Sequence, residues 1–230
     1  MAEVKQPRHS AESDVVVDRA KDFWSRYNRP VMIAAAAIII LGGGYLAYKY
    51  LIVAPKEKKA AEAIFKAEEY YRMDSLDKAL KGDLQFPGFE KVISQYGGTK
   101  AGNLAKFYAG SIYLKTGDLA KATKYLNDFD TDADQVKARA YKLLADAYAD
   151  QGKNGDALSN YKKAAHEFEA DEQASSEYLF LAAYFADRVM NDKKEAIELY
   201  TELKKKYPQS QYSMEADKYL AQAGVYDVKD

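Results

Sequence analysis

The 230-residue chain has no cysteine, only two histidines and one tryptophan, and only five prolines. Without cysteine there is no disulfide, no thiolate metal site, no thiol nucleophile and no thioether-linked lipid. His9 and His166 are too far apart in sequence to read as a metal pair or catalytic dyad, and no zinc spacing, phosphate loop or nucleophile elbow is present. Nor is there an excess of one charge: 34 basic residues face 35 acidic ones. From Pro55 onward, 27 basic and 30 acidic residues leave a slightly acidic balance, unlike a nucleic-acid footprint. Alternating Val, Ile and Thr runs are missing as well, which removes strand candidates.

One long apolar run is present, VMIAAAAIIILGGGYLAYKYLIVA, from Val31 to Ala54. Its uninterrupted part, Val31 to Tyr48, has 18 residues and as a helix covers about 27 Å, close to the roughly 30 Å hydrocarbon core of a bilayer. Lys49 lies near one end, where its stem can carry the ammonium to the headgroups. About thirty polar residues precede the run and no small-x-small cleavage site follows at once, so an uncleaved membrane anchor is expected rather than a signal peptide. Flanking charge leaves the orientation open: Arg19, Lys21, Arg26 and Arg29 on one side balance Lys56, Lys58, Lys59 and Lys66 on the other. Ala35, Gly43 and Ala47 share one helix face and are a candidate contact for another membrane helix, although Ala and Gly are also simply common in such helices. Residues before Asp14 read as disordered, and Val15 to Tyr27 as a short amphipathic helix on the membrane surface.

The remainder, Pro55 to Asp230, is organised by self-similarity. Aligned at a spacing of 35, Tyr113 falls on Tyr148, Gly117 on Gly152, Ala122 on Ala157 and Leu126 on Tyr161. Small residues (Gly110 with Ala122, Ala145 with Ala157) let paired helices approach, while Tyr113, Leu126, Tyr148 and Tyr161 fill the space between hairpins. Gly117 and Gly152 suit the tight turn between the two helices. A third copy places Ala196 and Tyr200 in the second-helix slots and Pro208 at its end; its first helix is expected from Ser175 to Val189, with extra residues in the turn around Met190 to Lys193. At an offset of 111, Phe89 pairs with Tyr200, Tyr96 with Tyr207, Thr99 with Ser210 and Ala105 with Ala216. An opening degenerate hairpin is therefore expected from Lys56 to Tyr96, interrupted by a loop around Gly82 to Gly88, and a capping helix from Gln209 to Gly224.

The Tyr, Gly, Ala and aromatic spacing resembles tetratricopeptide repeats, helical hairpins of about 34 residues. The expected fold is thus all-α: one transmembrane helix followed by a tetratricopeptide-repeat-like α-solenoid. Its parts are a tail with an amphipathic helix (1–29), the span (30–54), a connector with the degenerate hairpin (55–97), and repeats with the capping helix (98–230). The inner surface of such a stack binds peptides or helices. The Lys and Asn clamp that some of these domains use for a C-terminal carboxylate is absent, because its positions hold Phe107, Ser111, Lys142 and Asp146. Phe107, Ser111, Leu114, Lys142, Asp146, Tyr178 and Phe185 are the candidate groove residues, with Phe107, Leu114, Tyr178 and Phe185 as its apolar part or, equally, as packing between helices. Asp128, Asp130, Asp132 and Asp134 mimic the start of a calcium loop, but Ala133 and Arg139 occupy the positions of its Gly and Glu, so turn residues and a cap for a helix near Asp134 are expected.

AKDFWSRYNRP, with Phe23, Trp24 and Asn28, then one Ala- and Gly-rich span, a Lys-rich connector and degenerate repeats resembles YfgM-type ancillary subunits of the bacterial Sec translocon. DSLDKALKGD from Asp74 and TKAGNLAKFYAG from Thr99 resemble the Bacteroidota version. The resemblance implies a single-pass inner-membrane protein with a cytoplasmic N-terminus and a periplasmic repeat domain. Its implied partners are the SecYEG channel and a periplasmic folding factor or exported polypeptides, with no cofactor, no small-molecule substrate, no nucleic acid and no catalysis. The alternative is a structural scaffold of another envelope complex, in division, wall synthesis or outer-membrane assembly.

Overall fold

The structure is a computed structural model describing the backbone of residues 9–226 and the side chains of residues 15–226. The chain separates into two units, Met1–Lys56 and Glu57–Asp230. Among the described residues the elements are helices and their turns, joined by a single isolated bridge between Gly82 and Pro87.

The first unit is built on α1, His9–Tyr48, which ends in a π-helical turn, Lys49–Val53. The tail expected to be disordered falls partly on residues 1–8, outside the described residues; from His9 the backbone is helical. The separate amphipathic helix is not set off from the span, because helix runs through Pro30 without a break. Proline removes one backbone donor there, a loss that membrane helices tolerate. This unit has one helix long and apolar enough to cross a membrane, with none of its most apolar window buried against protein. Ile33, Ile38, Ile39, Ile40 and Leu41 all stand exposed, an arrangement favourable in hydrocarbon and costly in water.

The second unit stacks helical hairpins. Its helices are α2 (Ala54–Arg72, which enters it at Glu57), α3 (Leu76–Lys81), α4 (Phe89–Tyr96), α5 (Lys100–Thr116), α6 (Leu119–Asn127), α7 (Asp134–Asp150), α8 (Asn154–Glu167), α9 (Glu172–Arg188), α10 (Lys193–Lys206) and α11 (Gln211–Gln222). Each hairpin turns through one left-handed residue. Gly117 (φ 84°) and Gly152 (φ 72°) do so as their positions require, and the residue after each returns a hydrogen bond to the helix, Asp118 N–H to the Tyr113 carbonyl and Lys153 N–H to that of Tyr148, both 2.9 Å. Asp74 and Asn191, each at φ 55°, play the same part in the first and last hairpins. Short polar side chains tolerate that conformation, so the motif survives without glycine.

This places the opening hairpin. Its first helix is α2 and its second is split into α3 and α4 by the expected loop. Asp83 braces that loop: its Oδ1 accepts the Gln85 and Phe86 N–H groups at 2.8 Å, and its Oδ2 accepts the Tyr70 hydroxyl at 2.5 Å. Thr99 and Ser210, matched at the offset of 111, are both N-caps, accepting the N–H of Gly102 (3.0 Å) and of Ser213 (3.1 Å), and Ala105 and Ala216 behind them are fully buried.

Two boundaries differ from expectation. Tyr161 and Tyr200 are 39 residues apart against 35 for Leu126 and Tyr161, yet the hairpin turn at Asn191 holds only one residue more than the turn at Gly152. The other three lie earlier, where α8 runs longer than α6. α7 begins at Asp134 as expected, but Ala133 stands at the cap and makes no side-chain bond. The acidic side chains are used otherwise: Asp130 Oδ1 accepts the Thr131 N–H (2.9 Å) and Thr131 Oγ1 accepts that of Ala133 (3.1 Å).

Packing follows nearest neighbours. One core joins α2 to α7 through Ile64, Phe89, Val92, Ala105, Ile112 and Ala122; a second joins α7 to α11 through Ala145, Leu179, Leu199, Tyr200, Leu203 and Leu220. The expected small slots, Ala122, Ala145 and Ala157, are fully buried, and at Gly110 an added Cβ would stand 2.6 Å from Leu126 Cγ. Helix approach therefore depends on these residues lacking bulk.

Candidate functional site

The first helices α2, α5 and α7 line a cleft of about 550 Å³. Its floor is aromatic: Tyr71 and Tyr108 have ring centroids 5.1 Å apart, Tyr108 stacks on Phe89 at 5.0 Å, and Phe107 meets Tyr108 edge-on at 5.7 Å. Tyr71 and Ser111 share a hydrogen bond of 3.1 Å between their hydroxyls. Arg72 and Glu68 come from the α2 wall, Gln135, Val136 and Arg139 from the α7 wall. Burial pushes the Glu68 carboxyl up, and Arg72 draws it partly back. The Tyr108 phenol is raised chiefly by burial and secondly by Glu68, while Arg72 and Arg139 oppose the rise. Both guanidinium groups thus reach the field of one hydroxyl from opposite walls.

Of the seven residues expected to form a groove, Phe107 and Ser111 line this cleft. Phe107 is only 8% exposed, because Leu126, Ala140 and Leu144 hold its ring. Leu114 is half-buried against the α2 to α7 core. Lys142 donates to Asp146 Oδ2 at 2.8 Å, and Asp146 Oδ1 accepts the Tyr161 hydroxyl at 2.7 Å, so this pair ties α7 to α8. Tyr178 is half-buried, with its phenol raised by burial. Phe185, 8% exposed, packs inside the second core against Tyr161, with centroids 5.5 Å apart. Four of the seven are therefore largely committed to packing or internal pairing, and Phe107 offers only an edge.

Glu68, Tyr71, Arg72, Tyr108 and Arg139 were not among the expected site residues. Arg139 lies 35 residues after Leu104, which lines the same cleft, so the repeat spacing held a signal for it. Nothing comparable marked α2 as a wall, since its hairpin turns at an aspartate. The remaining candidates lie apart: Ala35, Gly43 and Ala47 are exposed on α1, and a Cβ on Gly43 would meet nothing within 4 Å. His166 sits on α8, with Nδ1 3.2 Å from Glu169 and Nε2 3.7 Å from Glu202, in a surface cluster that Lys206 completes; the His9 side chain lies outside the described ones.

Residues 21–170 match a family model described as a tetratricopeptide repeat-like domain, and residues 177–210 match one described as a tetratricopeptide repeat. No match was found among curated proteins.

Proposed function

Because the chain belongs to the tetratricopeptide repeat-like domain family, matched over 21–170, we propose that it is a membrane-anchored adaptor whose repeat unit binds polypeptide in the first-helix cleft. Repeats of this class serve as protein-interaction scaffolds. The observation that carries the reading is the cleft: an aromatic floor with polar walls, formed where three successive first helices leave room. The exposed apolar helix supports anchoring, and the matched region contains its apolar run, Val31 to Ala54.

The finer assignment follows from the resemblance to YfgM-type subunits. The span would place the N-terminus in the cytoplasm and the repeats in the periplasm. There the cleft would hold exported segments or a folding factor beside SecYEG, in a non-catalytic role. Ala35, Gly43 and Ala47 offer the face on which the anchor could meet a channel helix.

Two measurements test this. With no native cysteine, Ser159→Cys on the exposed side of α8 provides a unique label. Reaction with an impermeant maleimide in intact spheroplasts is expected, and protection until lysis would reverse the topology. Affinity purification of the full chain after cross-linking in membranes is expected to recover Sec components; recovery of division or wall-synthesis proteins alone would replace the translocon assignment with the scaffold one.

A further inference from the structure

We propose that the cleft selects segments in which bulky apolar side chains are flanked by aspartate or glutamate side chains; this rests on the adaptor reading and names the chemistry of its ligand. Only three arginines lie beyond Glu57, among many lysines, and two of them, Arg72 and Arg139, stand on opposite walls of this cleft. The third, Arg188, is paired with Asp187 at 2.9 Å. Lysines across the domain are widely paired too, for instance Lys66 with Glu69, Lys137 with Glu167 and Lys162 with Glu195. Among the described residues neither Arg72 nor Arg139 is in a salt bridge, and both side chains are exposed.

Guanidinium suits this position in two ways. It binds a carboxylate through two parallel N–H donors, and its planar face can lie against an aromatic side chain of the bound segment. The cleft walls carry Arg72, Arg139 and Glu68, a net positive charge over an apolar floor. A ligand complementary to that pattern lays an aromatic or aliphatic side chain on Tyr71, Tyr108 and the edge of Phe107, and turns an acidic side chain toward each wall. Glu68 disfavours additional negative charge near α2 and accepts a backbone N–H of the bound segment. Because the arginines flank the floor on both sides, the assignment is to side-chain carboxylates within a segment rather than to a chain terminus.

The test uses the full chain in detergent micelles or nanodiscs and fluorescence anisotropy with blocked, amide-capped peptides. One carries Leu-Phe flanked by aspartates; in the others asparagine or lysine replaces the aspartates. A fourth peptide has no acidic side chain but a free C-terminal carboxylate. The aspartate peptide is expected to bind most tightly, about tenfold better than the asparagine one, and to weaken with added salt. Arg72→Gln and Arg139→Gln should each remove most of that discrimination, and Arg139→Lys should restore it only partly. Circular dichroism establishes that each variant is folded. Equal binding of the aspartate and asparagine peptides, abolished by Tyr108→Ala, would overturn the acidic preference while leaving the adaptor reading in place. Tighter binding of the lysine or free-carboxylate peptide would likewise overturn it. Failure of every peptide to bind would overturn both.

Discussion

Changing Gly102 to alanine should destabilise the repeat unit, whereas the same change at Gly155 should stabilise it. Both glycines lie in the first turn of a helix, α5 and α8, and neither has a positive φ, so alanine is worth roughly 0.5–1 kcal/mol in helix preference at each. Their surroundings differ. A Cβ on Gly102 would stand 1.9 Å from the Tyr96 carbonyl oxygen, 2.3 Å from its carbon and 2.8 Å from the Gly97 nitrogen. That oxygen is held by two donors, the Thr99 N–H at 2.8 Å and the Thr99 hydroxyl at 2.7 Å. Thr99 Oγ1 in turn caps α5 at Gly102, so relieving the clash disturbs the cap. Overpacking costs about 1–3 kcal/mol and a lost cap about 1 kcal/mol, leaving a net loss of about 2 kcal/mol or more. Around Gly155 a Cβ meets nothing within 4 Å, so the preference is kept in full. For a domain of this size 1 kcal/mol moves Tm by about 2–4 °C, so Gly102→Ala should lower Tm by roughly 4–8 °C and Gly155→Ala should raise it by about 1–4 °C. Thermal melts of the full chain in detergent, followed by far-ultraviolet circular dichroism, give both values. Shifts of the same sign and size would refute the described passage from α4 into α5.

Other expectations concern buried hydroxyls and turns. The Tyr200 hydroxyl is buried without a hydrogen-bond partner, so Tyr200→Phe should leave the urea midpoint unchanged or raise stability by about 1 kcal/mol; a clear loss would mean that the hydroxyl is satisfied. Asn191→Gly should be tolerated, whereas Asn191→Val should cost roughly 1–2 kcal/mol, measured in the same titration, and equal effects would contradict a left-handed turn there. Burial is the largest cause raising the phenols of Tyr113, Tyr161 and Tyr200, whose protonated forms belong to the folded state. Their contribution is therefore complete below the unfolded tyrosine pKa near 10 and is lost as pH rises above it, so phenolate absorbance and helix loss should appear together in alkaline titration; early phenolate with intact helix would contradict the burial.

The parts of the fold legible in the sequence were those fixed by one residue type at one spacing. Gly117 and Gly152 mark left-handed turns because glycine adopts them without penalty, and Ala122, Ala145 and Ala157 mark close helix approach because bulk would prevent it. Asp74 and Asn191 make the same turn without announcing it, since such residues also serve as caps and solvated surface. That concealed the opening hairpin's turn and, with it, the part α2 plays as a wall of the cleft. The absent cap at Ala133 was hidden by neighbouring aspartates, any of which could have served. The groove was only partly legible for a related reason. An aromatic residue on a first helix can face the cleft or the next hairpin, and a shift of one position separates the two: Tyr108 lies on the floor while Phe107 is held in the core. The repeat spacing matches Arg139 to Leu104 in the cleft, but the change from leucine to arginine there looks like solvated charge, and Arg72 has no such match.

The adaptor reading is tested most directly by in-cell photo-crosslinking of the full chain, with the photoreactive residue at Gln135 or Val136, which line the cleft beside the proposed contacts, and, for comparison, at Ser159 on α8. Polypeptide adducts from the two cleft positions, absent from Ser159 and lost with Tyr108→Ala, are the expected result. Adducts of equal yield from all three positions, or from Ser159 alone, would contradict binding in the cleft.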